Sequence, residues 1–151
     1  MGRDNELEVG GSWARGGGFD LGAGAPDVKL EGADISYRHF GTNSRRLLAR
    51  AEYLRRRRAG TDGESNHGYY GFLNYRLDRF RDVGMLYDWS EIPNIGCGHE
   101  SALGLVYTHQ FSEQVYVRLQ LTRGTRPGEG DYNEFLFQWT WGVGPHRHSL
   151  E

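Results

Sequence analysis

An all-β fold, eight antiparallel strands running up and down in sequence order, is what this chain predicts. Apolar and polar residues alternate in eight separate stretches. The charges within those stretches keep to the parity opposite the apolar one. Short and long connections take turns between the stretches. In an extended chain successive side chains point to opposite faces, so each stretch has one greasy face and one polar face.

The first stretch, "ELEVGGSWARG", sets Leu7, Val9 and Trp13 against Glu6, Glu8 and Ser12. The second, "VKLEGADISYRHF", sets Ala33, Ile35 and Tyr37 against Asp34, Ser36 and Arg38. "RLLARAEYLRR" follows, with Leu47, Ala49, Ala51 and Tyr53 opposite Arg50 and Glu52. This segment also reads as a helix, capped by Asn43 or Ser44 and ended by Gly60, since Ala, Leu and Arg are good helix formers. A strand is the expectation, because a helix would leave an unpaired edge within a regular meander. "YYGFLNYRLDRF" has Tyr69, Leu73, Tyr75 and Leu77 against Asn74 and Arg76. "DVGMLYDWS" has Val83, Met85, Tyr87 and Trp89 against Asp88 and Ser90. "SALGLVYTH" offers Leu103, Leu105 and Tyr107, and "QVYVRLQLTR" offers Val115, Val117, Leu119 and Leu121 against Arg118 and Gln120. The last, "DYNEFLFQWTWGVG", puts Phe135, Phe137, Trp139 and Trp141 on one face and Glu134, Gln138 and Thr140 on the other.

After the second, fourth and sixth stretches the links are brief: "GTNS", "RFRD" and "QFSEQ". After the first, third, fifth and seventh they are longer: "GGGFDLGAGAPD", "RRAGTDGESNHG", "EIPNIGCGHE" and "GTRPGEGD". Membrane barrels show this alternation of short periplasmic turns with long extracellular loops, and an even strand number. The expected fold is therefore an antiparallel up-and-down transmembrane β-barrel with eight strands in this chain. It forms a single domain over residues 1–151, residues 145–151 being a tail. Its apolar faces turn to lipid, its polar faces turn inward, and both termini lie on the periplasmic side of a bacterial outer membrane.

Composition fits that picture. The chain is polar, with a mean hydropathy of −0.70 and 37% hydrophobic residues, as a barrel with a hydrophilic interior would be. Twenty-three glycines and twenty aromatics among 151 residues favour strands and turns. A formal charge of −2, despite 17 arginines, leaves no basic field for a nucleic acid. The one cysteine, Cys97, excludes an internal disulfide framework. No run approaches the roughly 18–20 apolar residues of a membrane helix.

The stretches "GYYGFLNYRLDRFRDVGMLYDWSEIPN", "HESALGLVYTHQFSEQVYVRLQLTRG" and "YNEFLFQWTWGVGPHRH" resemble the last strands of bacterial outer-membrane barrels. They are similar to porin-like families related to phosphate-selective porins and to zinc-associated outer-membrane receptors. The resemblance covers roughly Arg55 to His148. It implies that the chain is the C-terminal part of a larger barrel, or an eight-stranded barrel made from such a part. It also implies handling by the outer-membrane insertion machinery during biogenesis. The terminal aromatic usual for a last strand is absent, the chain continuing through "GVGPHRHSLE".

The inward set is Glu8, Asp34, Arg38, Arg50, Glu52, Arg76, Asp88, Arg118 and Glu134, expected to form a lumen ion-pair network. In a narrow barrel it would replace an apolar core, and in a wide one it would line water. Arg55 and Arg57 point outward at the rim, with Arg123 and Arg126 at a similar height. Their guanidinium groups suit lipid or lipopolysaccharide phosphates. His146 and His148 have metal-sharing spacing but no third ligand, so neither a metal nor a cofactor is expected. "ESNH" (Glu64–His67) and "CGHES" (Cys97–Ser101) carry the residue types of a hydrolase rim site. "GGGFDLGAG" does not open a helix, so it lacks the context of a phosphate cradle.

The leading expectation is a membrane-spanning scaffold or passive, porin-like pore module for small solutes, without catalytic residues. Its partners would be the lipid bilayer and lipopolysaccharide phosphates, and not a nucleic acid. The alternatives are an outer-membrane enzyme with an extracellular-rim site and a soluble eight-stranded ligand-binding barrel.

Overall fold

The structure, a computed structural model, describes residues 4–17, 27–58, 65–92, 98–112 and 114–142. It is one antiparallel sheet of eight strands in sequence order. They are β1 (Asn5–Gly16), β2 (Val28–Phe40), β3 (Arg46–Arg58) and β4 (Ser65–Arg76), then β5 (Arg81–Glu91), β6 (His99–Gln110), β7 (Val115–Arg126) and β8 (Gly130–Trp141). The segment with helical propensity is therefore a strand. Ladders to β2 on one side and β4 on the other satisfy its backbone, and this tertiary gain overrides local preference.

All seven ladders join residues of equal parity. The row Leu7–Tyr37–Ala49–Leu73–Met85–Leu105–Leu121–Phe135 crosses the whole sheet on odd numbers. The odd face is thus apolar across all eight strands, and the even face carries the polar set. Every buried residue among those described is even-numbered: Ser36, Asp82, Ala102, Gly104, Thr108, Thr122 and Gly124. Odd-face side chains stay open, Val9 at 75% and Trp139 at 69% exposure. The sheet curls around its even face and turns its apolar face outward.

Curling needs room inside. A Cβ at Gly104 would lie 2.9 Å from Leu86 Cγ and 3.3 Å from Thr122 Oγ1, so neighbouring strands lean over that gap. The curl does not close the sheet. Strands β1 and β8 are both edges, and each strand touches only its sequence neighbours. The sequence predicts a barrel and leaves open whether it closes at eight strands or belongs to a larger one; in the structure the eight strands form an open sheet and not a closed barrel. An eight-stranded interior has room for side chains and little else, and this even face brings Arg46, Arg50, Phe72, Tyr116, Arg118 and Tyr132 to it.

Connections follow the expected rhythm except at one place. In the β2–β3 turn Gly41 N–H donates to Arg45 O at 2.9 Å, with Asn43 and Ser44 at positive φ. The β4–β5 turn is held by Asp78, whose carboxylate accepts the N–H of Phe80 at 2.8 Å and of Arg81 at 3.0 Å. Residues 59–64 and 93–97, in the expected long loops, lie outside the described residues, as does most of the β1–β2 link. The β7–β8 link, expected to be long, is only Pro127–Glu129 between strands that run on to Arg126 and back from Gly130. Gly128 and Gly130, both at φ 84°, supply the left-handed backbone such a tight reversal needs. Both β1's start and β8's end lie at the short-turn end, opposite His39 and Val115.

The Arg81 guanidinium, which donates to Asp78 Oδ2 at 2.7 Å, and the Phe80 N–H hold the Asp78 carboxyl below its ordinary value. A depressed folded-state pKa contributes stability above the unfolded pKa, lost as pH falls through the folded one. Between neutral pH and about pH 3, the unfolding midpoint should therefore fall less steeply for Asp78→Asn than for the parent. Parallel slopes in a urea titration series would refute this.

Candidate membrane face and polar concave face

The odd face is a band of exposed apolar side chains with aromatic margins. Towards the loop end, Tyr53, Tyr69 and Trp89 lie on one register row. Their rings stand 5.3 Å and 5.2 Å apart. His67 stacks on Tyr53 at 5.9 Å and His99 on Trp89 at 5.7 Å, so five rings cross β3 to β6. Towards the turn end come Tyr37, Tyr75, Tyr107, Trp139 and Trp141, with His109 edge-on to Phe111 at 4.6 Å.

The band does not run square to the strands. The row through Leu7 begins at the turn-side margin of the apolar set in β1 and ends, at Phe135, on its loop-side margin in β8. Since the set spans six residues in each edge strand, from Leu7 to Trp13 and from Phe135 to Trp141, the band slides by that amount over seven pairings. With about 3.3 Å per residue and about 4.8 Å between strands, its edge is inclined by about 30° to the perpendicular.

The even face carries the polar constellation in layers. Arg46, Arg76 and Arg118 share a row near the turn end with Asp82. Asp34, Glu52 and Asp88 share a row further towards the loops. Ion pairing is local. Arg38 reaches Glu6 and Glu8, each at 3.3 Å. Arg76 Nε donates to Asp82 at 3.0 Å. Arg50 Nε donates instead to Ser36 Oγ at 3.1 Å, and Arg118 Nε to Thr108 Oγ1 at 3.3 Å.

Among the described residues Asp34, Glu52, Asp88 and Glu134 have no ion pair, and Asp34 stands directly opposite Glu52. Like charges opposed across a ladder destabilise it by roughly 0.2–1 kcal/mol, a cost that water screens and a dry interior would multiply. The face is thus a set of separate pairs and open carboxylates. Of the expected network, only Arg38 and Glu8 form an ion pair with each other among the described residues, and Asp34 and Glu52 are opposed without one. Asp82, absent from the expected set, makes the most enclosed pair. Extending the alternation of "DVGMLYDWS" to its first residue would have found it.

Of the four rim arginines, three are engaged by carboxylates. Arg57 meets Glu31 at 3.3 Å, Arg123 meets Asp131 at 3.3 Å, and Arg126 meets Glu100 at 3.0 Å and Glu129 at 3.1 Å. Arg55 Nε is buried without a hydrogen-bond partner among the described residues. Arg126 lies on the even face, unlike the other three. The described parts of the two rim segments with hydrolase-type residues, Ser65–His67 on β4 and His99–Ser101 on β6, have β5 between them in the sheet. His67 is bound locally, Nδ1 lying 2.6 Å from Tyr53 Oη and Nε2 3.3 Å from Ser65 Oγ. Glu64, Cys97, His146 and His148 lie outside the described residues.

Breaking the enclosed pair should cost far more than breaking the open one. Asp82→Ala, which strands Arg76, is expected to lose about 3 kcal/mol, and Glu8→Ala, whose side chain is 61% exposed, less than about 1 kcal/mol. Denaturant unfolding followed by tryptophan fluorescence measures both, and equal losses would contradict the geometry.

No family model, curated protein or solved structure matches this chain in comparisons of sequence and of fold.

Proposed function

We propose that this sheet is wall of a bacterial outer-membrane β-barrel, a membrane-spanning scaffold that lines a passive, porin-like pore for small solutes. The odd face meets the acyl chains, the even face meets the lumen, and both chain ends lie in the periplasm. The observation that carries this reading is the inclined apolar band. An exposed apolar surface running across eight strands far exceeds the patches that water-soluble monomers tolerate. Aromatic residues gather at both margins, as the girdles of membrane barrels do. The inclination of about 30° is close to the strand tilt of roughly 35–45° in such barrels, so the band lies level when the strands tilt. A soluble sheet covering one core has no need of that drift.

The open carboxylates favour a wet lumen over a dry, ion-paired plug. The likeness to porin-like families noted from the sequence agrees with this. Rim arginines that already hold carboxylates keep only part of their donor capacity for lipopolysaccharide phosphates.

Single-cysteine variants in a Cys97→Ser background, labelled with an environment-sensitive dye and folded into lipid vesicles, test the orientation. Met85→Cys and Leu105→Cys should be quenched by lipid-borne quenchers and not by aqueous ones, and Gln120→Cys the reverse. Aqueous quenching at all three positions would end the membrane reading.

A further inference from the structure

The two edges of the sheet fit each other. At the β1 end Phe40 N–H donates to Asp4 O at 2.8 Å, and at the β8 end Gly142 N–H donates to Gln114 O at 2.9 Å. Hydrogen-bonded pairs alternate along an antiparallel ladder. The even-numbered residues of β1 and β8 are therefore bonded inward, to β2 and β7. The odd-numbered ones aim their N–H and C=O groups out of the sheet. Both edges thus present backbone groups on the same parity. Strand β1 runs from the turn end to the loop end and β8 runs back, so the two lie antiparallel when side by side.

Side chains choose the register. With Val9 opposite Trp139, Leu7 meets Trp141 and Trp13 meets Phe135, so the apolar band crosses the seam unbroken. On the even face Glu8 then meets Thr140, and Glu134 meets Ala14, with no like charges opposed. Moving β1 by two residues one way puts Arg15 against Phe135 in the apolar band. Moving it the other way puts Trp13 against Asn133. One register satisfies backbone direction, parity, apolar continuity and charge together.

We infer that β8 of one chain pairs with β1 of a second copy, and β8 of that copy with β1 of the first, closing a sixteen-stranded ring with Val9 opposite Trp139 at each seam. This rests on the membrane-wall reading above, in which an unpaired edge is prohibitive because each bare backbone group in hydrocarbon costs several kcal/mol. A second copy is favoured over closure within one chain by two observations. The structure holds β1 and β8 apart, and the opposed Asp34 and Glu52 call for water where an eight-stranded interior is filled by side chains. Sixteen strands leave an aqueous channel. Two heterologous contacts related by a twofold axis close such a ring without leaving an edge.

The seam predicts which cysteines join. Ser12 and Leu136 face each other at a non-hydrogen-bonded position, where Cα atoms stand about 4.5 Å apart, within disulfide range. In a Cys97→Ser background, Ser12→Cys protein and Leu136→Cys protein are folded together in detergent micelles and oxidised. A covalent dimer at least tenfold above that from Ser12→Cys with Glu134→Cys is expected. The double variant Ser12→Cys/Leu136→Cys should also give dimer. A cross-link confined to one chain would mean closure at eight and overturn the inference. No cross-link from protein with folded, heat-modifiable gel mobility would overturn it too. The unmutated protein supplies a check free of folding defects: its detergent-corrected mass should be twice 17.2 kDa, and a monomer would refute the ring. Quenching at Met85 and Leu105 reports the membrane reading separately, so a failure of the seam is distinguishable from a failure of the membrane wall.

Discussion

Side chains in a strand repeat every two residues, and a ladder transmits that period only if its register keeps odd with odd. All seven ladders here do so. A slip of one residue in any of them would send the strands beyond it to the opposite faces, dropping Arg50 or Glu52 among leucines and tryptophans. The rest of the molecule depends on this shared parity. It collects apolar groups contributed by eight separate stretches into one surface, and it gathers the charges where they can pair or be wetted. The turns serve it as well. Asp78 pins one reversal by its backbone bonds, and Gly128 and Gly130 make another tight, so the strands they join cannot drift.

The strands were legible because the pattern that marks them is local. Each of Leu7–Trp13, Val83–Trp89 and Phe135–Trp141 shows its alternation within seven residues, and no distant partner is needed to see it. The inward parity of Glu8, Arg38 and Arg118 followed from the same count. Partner choice was not legible. Which carboxylate Arg76 takes depends on how β4 and β5 align across their turn, and that alignment brings Asp82 opposite Arg76. Arg50, one even-face row from the opposed Asp34 and Glu52, settles on Ser36 directly across the ladder.

Two features depended on quantities that alternation does not carry. Closure is a matter of curvature, in which the size of inner-face groups weighs against close approaches such as those of Leu86 to Gly104 and Tyr132 to Gly124. A list of parities holds no information about that balance. The β7–β8 link looked long because "GTRPGEGD" is rich in turn formers. In the fold Thr125 and Arg126 extend β7, and only Pro127–Glu129 remain to reverse the chain. Composition marks where a turn lies more reliably than how many residues it uses. The same holds at the loop ends of β4 and β6, where Ser65–His67 and His99–Ser101 continue the strands upward and place two histidines on the aromatic margin.

Pairing only between sequence neighbours also shapes how the sheet is reached. Every ladder belongs to a hairpin, so the entropic cost of bringing partners together is that of a short loop. Topologies with such low contact order assemble quickly for β proteins, one strand zipping onto the last. Nothing has to wait for distant segments to find each other until the eighth strand is in place. Each strand added in sequence order pairs with the one before it, so no ladder depends on a strand still to come.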